Sequence, residues 1–404
     1  MIDPWPHCQE EKLCPKLTRS YDHAMTSVIE LLQTLVRIPS VNPDENPAVS
    51  PGGEEQLALA IQEFLAPLGF KIRLEEVKPG RPNLIARAPG PLNRPRLLLA
   101  PHLDTVGIDG MTIEPFAATL SDGKIYGRGT SDTKGPMAAM LWGLAENVDR
   151  LASLPVAVDF VAFMGEESSQ PGSRHFASRY ADQYDFAIAG EPTSLKAVHC
   201  TKGSLWATVQ ATGKSTHASQ PHLGDNAILK LIEGIRALQE GPFHALLSQS
   251  RHPVLGFSTM NVGTIRGGTV PNIVPDEARA VIDIRTVPEL VQERPAREIL
   301  ADFIDHLEII KASESPPMSL DPDHPWLQQL AAAVPNLELT GAPWFSDASH
   351  LAAAGIPSIC LGPGSIDQAH TADEFITVAD LEDGARWFTR MIASLKAPGS
   401  STQR

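Results

Sequence analysis

Four short apolar runs in this chain each break at a residue that can bind a metal ion. Leu97–Ala100 runs into Pro101-His102-Leu103-Asp104, and Val156–Met164 breaks at Gly165 into Glu166-Glu167. Phe186–Ala189 breaks at Gly190 into Glu191, and Ile356–Leu361 breaks at Gly362 into a loop that reaches His370. Continuous apolar runs of this length belong to parallel strands covered on both faces. In open α/β sheets, sites lie beyond the carboxyl ends of the strands. The expected fold is therefore α/β, with a mostly parallel sheet whose strand ends converge on one centre.

Each of these residues alone has an ordinary explanation. His102 could be a satisfied structural histidine and Glu166-Glu167 a solvated loop. Asp132, in GRGTSDTKG, could cap the helix that follows, and Glu191 could be a turn residue before Pro192. Convergence changes the weighing, because polar groups seldom gather at strand ends without a role. Imidazole plus carboxylates suits Zn²⁺, and also Co²⁺ or Mn²⁺, better than a thiolate-seeking metal. The set is too large for one ion and suits two that share a carboxylate and a water. Asp132 is the natural bridge, just ahead of the helix that Pro136 opens. His102 and Glu191 then complete one shell, and Glu167 and His370 the other. Asp104 orients the His102 ring. That leaves Glu166 uncommitted beside the metal-bound water, which is what a general base requires.

PHLDTV, GRGTSDTKG, GEE, GEPTS and AHTADE together resemble, in order, the metal-site motifs of the M20 metallopeptidase and deacylase family. The resemblance runs from about Thr26 onward. Within the family, GEPTSL, Lys202-Gly203 and LGPGSIDQAHTADEF are most similar to the acetylornithine deacetylase branch, with succinyl-diaminopimelate desuccinylases close behind. It implies a cytoplasmic homodimer that hydrolyses a small N-acyl amino acid, namely acetylornithine to ornithine and acetate in arginine biosynthesis. It also implies that His217, in GKSTHASQP, reaches a metal centre from a lid domain and stabilises oxygen charge in the transition state. Arg285, ending DIR, resembles the residue that grips the substrate carboxylate, as a bidentate guanidinium can. Asn272 lies between prolines in VPNIVP, and Gly364 and Ser365, in the PGS turn, are candidates to lend backbone amides to the same end of the substrate. Asp347, in WFSDASH, either attracts a cationic side chain or caps the next helix.

The chain order predicts two domains after a tail. Residues 1–25 lack any period and read as a disordered extension. Their His7, Cys8, Cys14 and His23 fit no common zinc spacing. Ser27 and Glu30 form a capping box for a helix carrying Val28, Leu31, Leu32 and Leu35. The catalytic domain covers 26–203 and resumes at 315–404. Between them, 204–314 reads as strand, helix, strand, strand, helix, strand. That is the ferredoxin-like order of an α+β insertion, expected to serve as lid and dimerisation domain. Its elements are Leu205–Ala211, a helix headed by Asp225 with Ile228, Leu231, Ile232 and Ile235 inward, Met260–Ile265, Ala278–Ile284, Ala296–Leu307 and Glu308–Ala312.

A net charge of −15 over 404 residues argues against nucleic acid and anionic membranes as partners. No apolar run approaches the ~20 residues of a membrane span. Four cysteines do not make a disulfide framework. A nucleotide-binding α/β protein would need a phosphate-loop or dinucleotide spacing that GRGTSDTKG lacks. A non-catalytic binding relative would be expected to have lost a ligand or Glu166, and none is missing. Within the same chemistry, desuccinylation, another N-acyl amino acid or a short peptide remain as alternatives.

Overall fold

The computed structural model describes residues 26–44, 49, 52–334 and 336–397. The proposed tail at 1–25 lies outside them. Among the described residues, thirteen strands build the two larger sheets. In chain order they are β1 (Lys71–Lys78), β2 (Arg81–Arg87), β3 (Arg96–Ala100), β4 (Ala157–Ala162), β5 (Phe186–Ala189) and β6 (Ala197–Thr201). Then come β7 (Gly203–Thr212), β8 (Thr259–Gly267), β9 (Glu277–Thr286) and β10 (Glu308–Ser315), followed by β11 (Met318–Ser319), β12 (Leu339–Ala342) and β13 (Ser358–Cys360).

The large sheet has the order β1-β2-β4-β3-β5-β13-β6-β11, with β12 also paired to β6. Its centre, β4-β3-β5-β13, is wholly parallel. These are the four strands expected to carry the metal-type residues, so their carboxyl ends lie side by side. Leu97 and Leu99 of β3 join one hydrophobic cluster with the helices Val28–Val36, Lys134–Ala145 and Val378–Ser394. Leu98 and Ala100 join another, with Phe176 and Leu351 from the helices Pro171–Tyr180 and Asp347–Ala353. Both faces of β3 are thus covered, which is why Leu97–Ala100 is continuously apolar and Arg96 is paired with Asp159.

The first helix starts as its cap predicts. The Ser27 side chain accepts from the Glu30 amide, while the Glu30 carboxylate reaches back to the Thr26 amide at 2.8 Å, one residue earlier than an ordinary capping box.

Residues 203–315 build a separate antiparallel sheet, β8-β9-β7-β10, with its own apolar cluster. The order matches ferredoxin-like topology. Three local expectations need correction. The helix Ala227–Glu240 is capped by Asn226, whose side chain accepts from the Ile228 and Leu229 amides. Asp225 instead pairs with Lys230. Ile232 does not face inward but is 48% exposed, because the buried stripe runs through Ala227, Leu231 and Leu238. The second helix stops at Ala301, where the Asp302 and Phe303 amides tighten onto Ile299 and Leu300. The tightened turn lets Phe303 pack on Phe243 at 5.3 Å. Phe243 belongs to an unanticipated helix, Pro242–Gln249, started by Pro242 in its first turn and anchored by Phe243 and Leu247.

Candidate metal centre

His102 follows β3 directly, and its ring lies among buried carboxylates. Nε2 is 3.1 Å from Asp132 Oδ1, and Nδ1 is 2.9 Å from the main-chain carbonyl of Asp104. The other Asp132 oxygen, Oδ2, faces His370 Nε2 at 3.5 Å. His370 Nε2 also lies 3.2 Å from Glu167 Oε2. Asp132 therefore presents one oxygen to each histidine, the disposition a bridging carboxylate needs. Ligand atoms of His102, Asp132 and Glu167 all lie within 4.8 Å of one another. Glu191, buried after Gly190, lines the same cavity with Glu166.

Gly165 sets the acid pair. Its φ of 73° turns the chain out of β4 into a single 3-10 turn that carries Glu166 and Glu167. A side chain there would meet Pro171 at 2.9 Å besides straining the backbone. Asp104 does more than orient the His102 ring. Its carboxylate accepts from the Glu166 amide at 2.9 Å, the Glu167 amide at 3.0 Å and Asn42 Nδ2 at 2.7 Å. Burial opposes charge on Asp104, but His102 and these donors overcome it and hold its pKa low. One carboxylate thus locks two strand ends together.

The electrostatics show a centre short of positive charge. Burial drives Glu166 well above the ordinary carboxyl range, aided by Glu191, Asp347 and Glu167. Burial and Asp132 likewise push Glu191 well up and Glu167 to about 7. His370 rises to about 10 through Asp132 and Glu167. His102 rises despite complete burial, because Asp104 and Asp132 flank it. Protons are being held where divalent ions would serve better. Glu167 Oε1 is moreover buried without a hydrogen-bond partner among the described residues. The donor set fits metal ions.

Other expected site residues fall into two groups. Arg285 lines the cavity beside the cluster, a space of about 430 Å³ shared with Trp206, Trp344 and Phe345. Its guanidinium pairs with Asp283 at 2.9 Å and lies over the Phe345 ring at 5.3 Å. Gly364 and Ser365 pack their carbonyls on the neighbouring loops, accepting from the Ser194 amide at 2.7 Å and Ser131 Oγ at 3.0 Å. His217 and Asn272 are brought together with each other, the Ala218 amide donating to the Asn272 carbonyl at 3.0 Å. Both are exposed, and neither lines the cavity at the cluster of its own chain. Ser346, not Asp347, caps the helix that follows, which removes one of the two readings of Asp347. Asp347 itself is buried close enough to Glu166 and Glu191 for its charge to raise both, and burial lifts its own pKa to about 7.

Sequence reasoning missed Glu374. It is fully buried, and Oε1 accepts from the amides of Ser131 and Asp132 at 2.8 and 3.0 Å. Oε2 accepts from the Gly129 amide at 3.0 Å and Arg128 Nη1 at 2.8 Å. Pairing of Phe375–Thr377 with Lys124–Tyr126 delivers it there. Its place four residues after His370 was the available signal. Glu374→Ala leaves four donors unpaired in the interior. It is expected to cost about 3–5 kcal/mol of stability and to weaken metal binding through Asp132. Denaturant melts and metal titrations unchanged from wild type would deny Glu374 this role.

A family model described as Peptidase family M20/M25/M40 matches residues 98–394. The chain belongs to this family. Acetylornithine deacetylase of Vibrio cholerae is 31% identical over 381 residues, covering 91% of this chain and 98% of its own. The protein of the same name from Proteus mirabilis is 32% identical, covering 89% and 94%. Among solved structures, an M20 metallo-carboxypeptidase of Sulfolobus solfataricus aligns with TM-score 0.74 at 20% identity, covering 92% of this chain and 99% of that one. A dinuclear metal-binding M20 peptidase of Bacillus subtilis aligns at 0.63 and 16%, covering 91% and 98%. This M20 chain is a metal-dependent amide hydrolase. Among the described residues, no helix is long and apolar enough to cross a membrane.

Proposed function

We propose that the protein is a two-metal deacylase that frees an amino acid from its N-acyl derivative, with N2-acetyl-L-ornithine as substrate and ornithine and acetate as products. The observation that carries the reading is the placement of Arg285 in one cavity with Asp132, Glu166, Glu167, Glu191 and His370. A guanidinium facing a hydrolytic centre suits an amide whose amine half bears a carboxylate. The ornithine assignment draws on the names of the relatives. Ornithine released in this way would enter arginine biosynthesis.

His102, Asp132 and Glu191 would hold one ion, and Asp132, Glu167 and His370 the other, with Zn²⁺ preferred for this donor set. When bound, the ions supply a water acidic enough to lose its proton near neutral pH and a positive field for the carbonyl oxygen. Glu166 takes the proton of the attacking water and returns it to the departing amine. Arg285 fixes the substrate carboxylate, with Gly364 and Ser365 at the same end and Asn272, which stands beside His217, reaching it from a second copy.

The remaining oxygen charge of the tetrahedral intermediate falls to His217 of a second copy. This supposes a cytoplasmic homodimer formed through the inserted domain, taken as 204–314, with the catalytic domain on either side of it. Support comes from the exposure of Leu229 and Ile232 on the helix Ala227–Glu240 and of Ile265 on the edge strand β8. Such an edge and apolar face suit two-fold pairing.

The test is a panel of acetylornithine, succinyl-diaminopimelate and several dipeptides, with Zn²⁺, Co²⁺ and Mn²⁺ returned in turn to metal-free enzyme. Preferred hydrolysis of a dipeptide would overturn the deacylase reading, and preference for the succinyl compound would overturn the acetyl assignment. Arg285→Ala is expected to cost up to about 3 kcal/mol in kcat/KM on substrates with a free α-carboxylate and almost nothing on their methyl esters. Equal losses on acid and ester would remove Arg285 from the gripping role.

A further inference from the structure

Gln170 stands four residues after Glu166, in the left-handed backbone region at φ 57°, with its side chain fully buried. It precedes the helix Pro171–Tyr180 but makes no side-chain capping bond to it. Its amide is used elsewhere. Nε2 donates to Glu166 Oε1 at 2.9 Å. Oε1 accepts from Ser315 Oγ at 2.7 Å and lies 3.0 Å from His350 Nε2. All four side chains lie in the interior.

The partners dictate which way the amide points. Burial, reinforced by the charge of Arg174, pushes His350 down to about 3, so the ring is neutral. A neutral ring whose Nε2 faces an oxygen carries its proton on that nitrogen. Glu166, read as a general base, is a carboxylate that only accepts, so it takes the NH₂ group and leaves the amide oxygen to Ser315 Oγ–H and His350 Nε2–H. A flipped amide would set its oxygen against the Glu166 carboxylate, losing that hydrogen bond and placing two acceptors together in the interior.

Ser315 is the last residue of β10 and is paired with Ser204 near the start of β7. This is the strand pair through which the chain enters and leaves the four-stranded sheet. We propose that Gln170 is a positioning residue that fixes the carboxylate of Glu166 and registers it against that connecting strand pair. The proposal rests on the reading of Glu166 as general base. Gln170 binds no ligand of the cluster, so it acts on turnover and leaves metal binding alone.

The test is Gln170→Met in metal-loaded enzyme, assayed on whichever substrate the panel selects. The expected result is a kcat lowered at least ~10-fold, as loss of alignment at a reacting group produces, with KM and metal stoichiometry unchanged. In a Glu166→Ala background the same substitution should cost nothing further, because Gln170 has lost the group it holds. An equal loss in both backgrounds, or a kcat near wild type for Gln170→Met alone, overturns the proposal. If Gln170→Met does not fold, Ser315→Ala decides: an unchanged kcat overturns the proposal, and a fall of ~3-fold or more at constant KM, absent in the Glu166→Ala background, sustains it. Failure of the underlying reading looks different, since Glu166→Ala would then itself turn over normally.

Discussion

Glu166→Ala is expected to bind both ions and to lose ~10²–10⁴ in kcat. Glu166 is the acid of the centre whose Oε1 is taken by a neutral amide, whereas Asp132, Glu167 and the two histidines face one another. Glu167→Ala should instead release an ion, since it removes an oxygen poised 3.2 Å from His370 and another with no hydrogen-bond partner among the described residues. Elemental analysis of the two purified variants separates these outcomes. Loss of metal from Glu166→Ala with both ions retained in Glu167→Ala would exchange the two roles. The neighbouring residues differ by a single step along a 3-10 turn, so the contrast also tests the turn geometry set by Gly165.

Complementation between inactive chains is the second large effect. His217 is exposed and does not line the cavity at the cluster of its own chain, so the reading offered above requires a second copy to supply it. His217→Ala and Glu166→Ala should each be nearly inactive. When equal amounts are refolded together with random pairing, half the dimers are mixed, and each mixed dimer has one site with both residues intact. Activity should return to about a quarter of wild type. Mixed dimers demonstrated by tagged pull-down yet without activity would place the action of His217 within its own chain or abolish its role.

The positions of the strands were readable because β3, β4, β5 and β13 are buried on both faces and so are apolar apart from Ser358 and the buried Arg96–Asp159 pair. Their carboxyl ends could be matched to metal-binding residue types without knowing the order of the sheet. Caps and helix ends in the inserted sheet were less legible. Asp225 and Asn226 are both good cap residues, and only the path of the chain decides that Asn226 reaches the amides of Ile228 and Leu229. The exposure of Ile232 is likewise invisible to periodicity, which treats every isoleucine on a wide helical face as inward.

What the sequence determined by itself was the set of metal-type residues at the strand ends and the α/β scaffold that gathers them, because burial and side-chain chemistry act on residue type. Tertiary structure alone decided how those ligands are held. Asp104 gathers the amides of Glu166 and Glu167 from another strand end. Glu374 crosses 242 residues of chain to carry the Asp132 loop, and Gln170 reaches Ser315 across 145 residues in the other direction. Such bonds join segments far apart in the chain, and a hydrogen bond depends on distance and angle that no local pattern encodes.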